Sequence, residues 1–418
     1  MRILTNYKTL FVLVITTVLF SGCALNANLS TLNTELEKSK DIPEEVTPAP
    51  APTVPPIDTT PSYVCAGGPT VFSTNMNARY VIGQANFTAN SVNQGGSASA
   101  TTLNNPIGIT VANGKLYVAD GGNNRILVYN TLPTSNGVAA DAVIGQADFI
   151  TTTSGASSGK LNGIQSIASD GTYLAVAEWT NSRVSLWPLS NPTTMSYILG
   201  QPDANITTVN NGGISDKSMG AAAGVAFANG KLYVGDVTNS RVLAFNLNPL
   251  STFKSALNVL GQSNFTSSGT GSGLTGFGAN FAVTSNGNKL AILDNNADRV
   301  LFYNSIPSAN GVPADFDWGG WGVANNKLNS PIGIFMGSDK FFIADRSSDR
   351  ILVFNSIPTS SSTLPDAVLG QSVYTSSDHN QCNCSTAAAN TLWGVHHIYW
   401  DGCRLYVSDK QNNRVLVY

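Results

Sequence analysis

Apolar residues in this chain recur in short runs that are flanked by glycine, asparagine and proline. The run at 114–120, Gly-Lys-Leu-Tyr-Val-Ala-Asp, returns almost unchanged at 230–236. Related runs also end on an acidic residue, and an arginine follows each of these acidic residues by five positions. Successive arginines lie 51 to 64 residues apart, which indicates one unit repeated six times. The pairs are Asp120/Arg125, Glu178/Arg183, Asp236/Arg241, Asp294/Arg299, Asp345/Arg350 and Asp409/Arg414.

Each repeated unit predicts four short strands, because β-branched and aromatic residues fill the runs and turn-forming residues separate them. A second marker, two apolar residues before Gly-Gln, accompanies the fourth strand, and no stretch shows a sustained helical period. The sequence therefore predicts an all-β fold, a six-bladed β-propeller. In the first unit the predicted strands are 107–112, 115–119, 125–129 and 142–145.

The two ends of the repeated region predict how the ring closes. The sixth unit stops at Tyr418 after three strands, and the missing fourth-strand sequence occurs before the first unit, at 80–84. We expect this N-terminal strand to complete the last blade beside 414–418, which removes an open sheet edge. An open solenoid or two smaller sheets are the alternatives, but nothing resembles a capping repeat.

The turn between the second and third strands carries a recognisable motif. Asp-x-x-Asn-x-Arg precedes an apolar strand, and Pro-x-Gly-Ile and Leu-Tyr-Val precede the motif. This pattern resembles the NHL-repeat propeller family across residues 79–418, and the resemblance implies the fold. It does not imply one function, because propellers host binding, scaffolding and several chemistries. Four units contain the motif asparagine, namely Asn123, Asn181, Asn239 and Asn412. The other two units have Ala297 and Ser348 at this position.

The first 62 residues predict export and a tether. Two basic residues precede an apolar run at 10–20, which predicts a lipoprotein signal peptide over 1–22. An uncleaved anchor helix is the alternative, although the run is short for a membrane span. The ending Phe-Ser-Gly-Cys resembles a bacterial lipobox, which implies lipidation of Cys23 and anchoring in the cell envelope. Residues 23–62 include a proline-rich stretch and predict a flexible tether, which leaves 63–418 for the propeller.

Composition and charge narrow the classes of partner. The 418 residues are 42% hydrophobic and only 11% charged, with a net charge of −3. The apolar share excludes global disorder, and the absence of a basic tract argues against a nucleic-acid partner. The residue after Cys23 is Ala24 and not an aspartate. Under enterobacterial-type sorting of lipoproteins, this residue would favour the outer membrane, so the lipobox resemblance implies that location.

The acidic–arginine pairs are expected to be structural, because a feature present in every blade is best explained by a structural requirement that all blades share. Residues for binding are expected where the symmetry breaks, at the mouth of the central channel. The adjacent histidines are expected to point to opposite faces of their strand. The candidate binding residues are Asn105, Gln165, Asn280, His396 and His397.

The residues expected to line the channel give little support for catalysis or metal binding. No Asp or Glu falls at the aligned positions of the innermost strands, which disfavours a calcium site. All three histidines lie within one unit, so they do not supply a three-histidine zinc site from different blades. The sequence thus predicts no metal and no cofactor, and no nucleophile elbow is present.

Four cysteines of the exported region favour two disulfides, a four-thiol metal site being the alternative. They are Cys65, Cys382, Cys384 and Cys403. We expect Cys65 to join Cys382 or Cys384, with Cys403 taking the other. A Cys382–Cys384 bond is disfavoured because side chains alternate along an extended chain and the ring would be strained.

These features predict a non-catalytic binding or scaffold module for a protein, peptide or glycan partner of the cell envelope. Contact with the membrane is predicted through the N-terminal lipid alone, and the oligomeric state is left open. The alternative is an extracytoplasmic hydrolase or lyase with its site at the channel mouth.

Overall fold

The computed structural model describes Cys65 and residues 68–418. Within that part of the chain, 24 strands form six four-stranded antiparallel sheets, joined by loops and 3₁₀ turns. In this same part no helix has the length and apolarity needed to cross a bilayer. The predicted all-β six-bladed propeller is confirmed. Its first-blade strands differ from the prediction by at most one residue at each end.

Five blades are built from four consecutive strands, numbered outward from the channel. Blade 1 contains β2 (Pro106–Ala112), β3 (Lys115–Asp120), β4 (Arg125–Tyr129) and β5 (Ala142–Ile144). Blade 2 contains β6 (Ile164–Ser169), β7 (Tyr173–Glu178), β8 (Arg183–Pro188) and β9 (Tyr197–Leu199). Blade 3 contains β10 (Ala222–Ala228), β11 (Lys231–Asp236), β12 (Arg241–Asn246) and β13 (Asn258–Leu260). Blade 4 contains β14 (Asn280–Ser285), β15 (Leu290–Asp294), β16 (Arg299–Tyr303) and β17 (Phe316–Gly319). Blade 5 contains β18 (Pro331–Met336), β19 (Phe341–Asp345), β20 (Arg350–Phe354) and β21 (Ala367–Leu369).

The sixth blade joins the two ends of the ring. It contains β22 (Val395–Trp400), β23 (Leu405–Asp409), β24 (Arg414–Val417) and, on its outer edge, β1 (Tyr80–Ile82). Tyr80 pairs with Val417 and Ile82 pairs with Val415. The predicted closure is therefore confirmed, and the hydrogen bonds of β1 cover the edge that β24 would otherwise expose.

The core consists of six apolar clusters, one at each junction between neighbouring blades. At the junction of blades 6 and 1, Val415 and Val417 pack with Ile109 and Val118, all of them fully buried. Burial of such side chains contributes roughly 1.5–3 kcal/mol each. Because every strand turns one face to each neighbour, both faces of the sheets are apolar, which explains the nearly continuous apolar runs of the sequence.

The inner strands approach one another closely around the axis. Each begins with a break in pairing register, as between Val395 and Ile398, where two residues oppose the single residue Ser408. A Cβ at Gly333 of blade 5 would lie 2.3 Å from the carbonyl oxygen of His396 in blade 6. Glycine is therefore required there by the approach of the neighbouring backbone.

The predicted disulfide pairing is wrong. Cys65 bonds Cys403, with a Cα–Cα distance of 5.5 Å, and Cys382 bonds Cys384. Cys403 lies in the turn after β22, whereas the Cys384 carbonyl accepts a bond from Asn380, which also contacts the turn after β23. The six residues of β22 separate these two turns by about 20 Å. A disulfide needs Cα atoms within roughly 7 Å, so the pairing across the blade is impossible.

Candidate functional site

A buried ion pair closes the turn between the second and third strands of every blade. In blade 1, Arg125 Nε donates to Asp120 Oδ2 at 2.7 Å, and both side chains are fully buried. Arg125 also donates to the carbonyl oxygens of Phe149 and, at 3.0 Å, Thr102. Since the other oxygen of Asp120 accepts the Asn104 N–H at 2.7 Å, the pair ties the turn to the loops on both sides.

Blade 4 departs from this pattern. Arg299 bonds Asp294 at 3.0 Å, but its second nitrogen meets the carboxylate of Asp317 instead of a loop carbonyl. The Arg299 side chain is 12% exposed, whereas the arginines of the other five pairs are fully buried. The Gly-Gln marker is degenerate in this blade, and Trp321, which lies just beyond β17, is 78% exposed.

The Gly-Gln marker joins the fourth strand to the same turn. Gln371 Nε2 donates to the Asp349 carbonyl at 3.2 Å and to the Asp378 carbonyl at 2.9 Å. The preceding Gly370 has φ +87°, and a Cβ there would lie 2.5 Å from Leu392. The glycine thus supplies a left-handed backbone where no side chain fits.

The central channel widens into a cavity of about 370 Å³ at the end where the inner strands turn into the second strands. We call it the wide cavity. All six blades line it with residues of the later half of each inner strand, and every blade except blade 3 also contributes the turn that follows. One residue per blade occupies the same register position in this wall: Thr110, Ala168, Ala226, Thr284, Phe335 and Tyr399.

The wall of the wide cavity is asymmetric. Phe335 and Tyr399 lie next to each other on blades 5 and 6, with ring centroids 4.9 Å apart and an interplanar angle of 58°. Tyr399 is fixed further by its hydroxyl, which donates to the Val111 carbonyl at 3.0 Å. The corresponding residues of blades 2 and 3 are Ala168 and Ala226. The cavity therefore combines an aromatic corner with open space opposite, an arrangement that suits a bound ring or side chain.

His397 forms the floor of the wide cavity. The corresponding positions of the other blades are small residues, and the His397 imidazole occupies the space they leave. Its Nδ1 accepts the Ile109 N–H at 3.3 Å, and its Nε2 lies 3.5 Å from Ser166 Oγ. Burial lowers the pKa of His397 to about 4, so the ring is neutral at pH 7. The small residues of the other blades are Gly108, Ser166, Gly224, Ala282 and Gly333.

The sequence-predicted binding residues lie mostly at the opposite end of the channel. Gln165, His396 and His397 border one small cavity of about 10 Å³, and His397 alone also lines the wide cavity. The two histidines border the same space because the register break in β22 interrupts the alternation of side chains, so the expectation of opposite faces is wrong. Asn105 lines neither cavity; its N–H donates to Asn413 Oδ1 at 2.9 Å. Asn280 begins β14, and its side chain lies outside the described part.

The candidate binding residues chosen from the sequence include neither Phe335 nor Tyr399. When the six units are aligned on their acidic residues, Phe335 and Tyr399 stand where the other units have Thr or Ala. This difference between the units was therefore visible in the sequence. It lies three positions further along the inner strand than the aligned candidates Gln165 and His396. Periodicity alone does not indicate which end of the strand borders open space.

The titratable groups of the wide cavity are occupied in the fold. Asp170 Oδ1 accepts the N–H groups of Thr172 and Tyr173 at 2.8 and 2.7 Å. Burial raises the pKa of Tyr399 to about 12, so this phenol is neutral at pH 7. Within the described chain no three His, Cys, Asp or Glu side chains cluster closely enough to hold a metal ion. This cavity is therefore suited to recognition by shape and hydrogen bonding more than to proton transfer.

A protein-family model supports the repeat assignment for the first unit. The family profile described as the NHL repeat matches residues 103–129. No curated protein sequence matches the chain. A solved protein of unknown function from Bacteroides thetaiotaomicron is similar at 12% identity and TM-score 0.48, covering 82% of this chain and 75% of its own. A streptogramin B lyase is similar at 13% identity and TM-score 0.43, covering 79% of this chain and 96% of its own. The chain is a six-bladed β-propeller in which residues 103–129 match the NHL repeat.

Proposed function

We propose that this propeller is a non-catalytic binding module whose wide cavity takes a neutral segment of a peptide, protein or glycan partner. The observation that carries the proposal is the aromatic corner of Phe335 and Tyr399 within a cavity of about 370 Å³. That volume lies in the range of ligand sites, and aromatic rings supply much of the binding energy in such sites. The alanines opposite leave room for the bound group.

The chemistry of the lining supports binding over turnover. A general acid or base works best when its pKa lies near the operating pH. The pKa of His397 is lowered to about 4 by burial and that of Tyr399 is raised to about 12 by burial. Both ring nitrogens of His397 face protein groups of other blades. These two groups therefore fix the shape of the cavity and keep one protonation state around pH 7.

The proposed setting is the bacterial cell envelope, with the propeller held by a lipid on Cys23 and a tether over residues 23–62. These residues lie outside the described part of the chain, and the support comes from their sequence. The two disulfides agree with an oxidising compartment. A proline-rich tether would hold the ring clear of the lipid surface.

Calorimetric titration with neutral oligosaccharides and with uncharged peptides tests the proposal. A ligand of either class should bind, and Phe335→Ala should weaken the binding by roughly tenfold or more, the loss expected for an aromatic anchor. Trp321→Ala is the matched control, because it removes an exposed aromatic residue that does not line the cavity. Conversion of a bound ligand, followed by chromatography, would instead favour the hydrolase or lyase alternative.

A further inference from the structure

The outermost strand of blade 6 is capped by a pair of hydrogen bonds from the neighbouring blade. The N–H of Val81 donates to Asn136 Oδ1 at 3.0 Å, and the N–H of Gly137 donates to the Val81 carbonyl oxygen at 3.0 Å. Asn136 and Gly137 lie in the loop of blade 1 that joins β4 to β5. The cap thus satisfies both backbone groups that Val81 turns away from its own sheet.

The same two bonds recur at the outermost strands of blades 2, 3 and 5. An Asn or Thr side-chain oxygen accepts the N–H of the central strand residue, and the next residue of the cap donates its N–H to the carbonyl oxygen of that strand residue. All four donating residues have a left-handed φ of 53° to 63°, and the four central strand residues are at most 6% exposed. The capped residues and their caps are Val81 with Asn136 and Gly137, Ile198 with Thr252 and Phe253, Val259 with Asn310 and Gly311, and Val368 with Thr74 and Asn75.

The cap of blade 5 comes from outside the repeated units. Thr74 and Asn75 precede β1, and the Asn75 N–H donates to the Val368 carbonyl oxygen at 2.8 Å. Thr74 Oγ1 accepts the Val368 N–H at 3.4 Å. A blade edge of this ring therefore accepts a separate turn whenever that turn supplies one side-chain oxygen and one N–H in this geometry.

Blade 4 lacks the cap. Asp317 is the central residue of β17, because it pairs with Leu301 as Val259 pairs with Leu243 in blade 3. The same register turns the N–H and the carbonyl oxygen of Asp317 outward, yet neither has a cap among the described residues. Asp317 is partly exposed, whereas the four capped residues are buried. The edge of blade 4 therefore presents one open donor and one open acceptor.

The loop of blade 5 that faces this edge has the frame of a capping loop. The loops 130–141 and 304–315 carry caps, and the loop 355–366 has the same length. In all three, the final aspartate accepts the N–H of the first asparagine at 2.7 Å. The cap residues of the first two loops are Asn-Gly, and the third loop has Ser361 and Ser362 in their place.

This replacement explains why the loop of blade 5 leaves the edge open. Ser362 does not adopt the left-handed φ of Gly137 and Gly311, a conformation that a side chain with a Cβ disfavours. The loop instead turns on itself, with the Thr363 N–H donating to the Ser360 carbonyl oxygen at 3.3 Å. Val143 of blade 1 is also uncapped within the described chain, but the loop facing it, 189–196, is shorter and offers no such frame.

We propose that the edge of blade 4 at Asp317 is a docking site for a partner protein that presents an Asn-Gly turn. The asparagine oxygen of the partner accepts the Asp317 N–H, and the glycine N–H donates to the Asp317 carbonyl oxygen, as Asn310 and Gly311 do for Val259. Arg299 holds the Asp317 carboxylate at 2.9 Å, which neutralises the charge beside the edge. The site is separate from the wide cavity, because Asp317 does not line that cavity.

Hydrogen exchange and NMR titration of the unaltered protein test the site. In the free protein the Asp317 N–H should exchange much faster than the capped N–H groups of Val81 and Val259. A cyclic peptide with the sequence of residues 133–140, which contains Asn-Gly, should shift the Asp317 amide signal. At ten times its dissociation constant the peptide should slow this exchange by about tenfold, because about one edge in ten remains free. The control peptide has alanine at both Asn-Gly positions and should do neither.

Two matched variants move the cap between blades. Ser361→Asn with Ser362→Gly should restore the cap within the chain, slow exchange at Asp317 and weaken the peptide by roughly tenfold or more, because the loop competes at a high effective concentration. Asn310→Ser with Gly311→Ser should do the reverse at Val259, whose N–H should then exchange rapidly. Phe335→Ala should leave the peptide's effect on Asp317 unchanged, so failure of this site and failure of the wide cavity are distinguishable.

Three results would overturn the proposal. The first is an Asp317 N–H that is already as protected in the free protein as that of Val259. The second is protection that rises with protein concentration, which would show that a second copy of the chain covers the edge. The third is an Asp317 signal that does not shift with the Asn-Gly peptide, or that shifts equally with the alanine peptide. All three are measured on the unaltered protein, so they decide the matter even where a variant folds poorly.

Discussion

Asp349 Oδ1 accepts the N–H of Gly394 at 2.5 Å, so a side chain of blade 5 holds the start of the inner strand of blade 6. Asn413 does the same from blade 6 to blade 1, since its Oδ1 accepts the Asn105 N–H at 2.9 Å. Both residues lie in left-handed turns, with φ of 46° and 51°. The residue before the motif arginine thus supplies a latch from blade 5 to blade 6 and from blade 6 to blade 1.

Asp349→Asn should stabilise the protein at high pH. Burial raises the pKa of the Asp349 carboxyl from 3.8 to about 7. A raised carboxyl pKa favours the folded state below about pH 4, and this stability is lost as the pH rises toward 7 and beyond. Asparagine keeps the acceptor oxygen and suits the left-handed turn without the cost of a buried charge.

We expect Asp349→Asn to raise the free energy of unfolding by about 1–3 kcal/mol at pH 8 and by much less near pH 4. Urea unfolding across this pH range measures the difference. A gain of equal size at every pH would show that ionisation of Asp349 is not its cause.

The Cys65–Cys403 bond should contribute far more stability than the Cys382–Cys384 bond. The first joins residues 338 positions apart and the second joins residues two apart. In the chain-entropy account the stabilisation grows with the length of the closed loop, so the long closure contributes about 3–5 kcal/mol. Cys65→Ser with Cys403→Ser should therefore lower the unfolding midpoint strongly, and Cys382→Ser with Cys384→Ser only slightly.

Denaturant unfolding of the two double variants under non-reducing conditions compares the bonds directly. The Cys382/Cys384 variant serves as the control for loss of two sulfur atoms. Equal midpoints for the two variants would contradict the closing role of Cys65.

The repeated ion pair should be most important where it is fully buried. Arg241→Met leaves Asp236 as an unpaired carboxylate at a position with no exposure, which costs about 3–5 kcal/mol. Arg299→Met in blade 4 should cost less, because Arg299 is partly exposed and its second partner, Asp317, is 44% exposed. Urea unfolding of the two variants provides the comparison, and a larger loss for Arg299→Met would refute the burial argument.

The sequence was sufficient to predict the ring because each unit repeats its own local signals. The spacing of Asp120 and Arg125 recurs in every unit, and so does the turn that it closes. The leading strand Tyr80–Ile82 was identifiable because it carries the marker that the sixth unit lacks. These are short-range patterns, and the repetition confirms each of them several times.

The sequence did not reveal which residues meet across the ring. The pairing of Cys65 depends on which end of β22 the N-terminal segment reaches, and Thr70 settles this by bonding the Cys403 carbonyl at 2.9 Å. The position of the wide cavity depends on side-chain sizes around the axis, where one histidine closes a ring of small residues. A single register break in β22 was enough to bring His396 and His397 to the same cavity.

His397 should remain neutral throughout the physiological range and lose its structural role only in acid. Burial lowers its pKa from 6.5 to about 4. A lowered histidine pKa means that the folded state is favoured above about pH 6.5 and that this stability is lost as the pH falls through 4. Protonation would place an N–H on Nδ1 against the Ile109 N–H that it now accepts at 3.3 Å. NMR titration of the His397 ring nitrogens should therefore show one midpoint near 4, with Nδ1 unprotonated at pH 7. A midpoint near 6.5 would mean that water reaches the ring, and the floor of the wide cavity would then be open.

His397→Ala removes the same floor. This variant should let solvent or a small apolar gas such as xenon pass below the aromatic corner. A Tyr399→Phe variant provides the control with the floor in place.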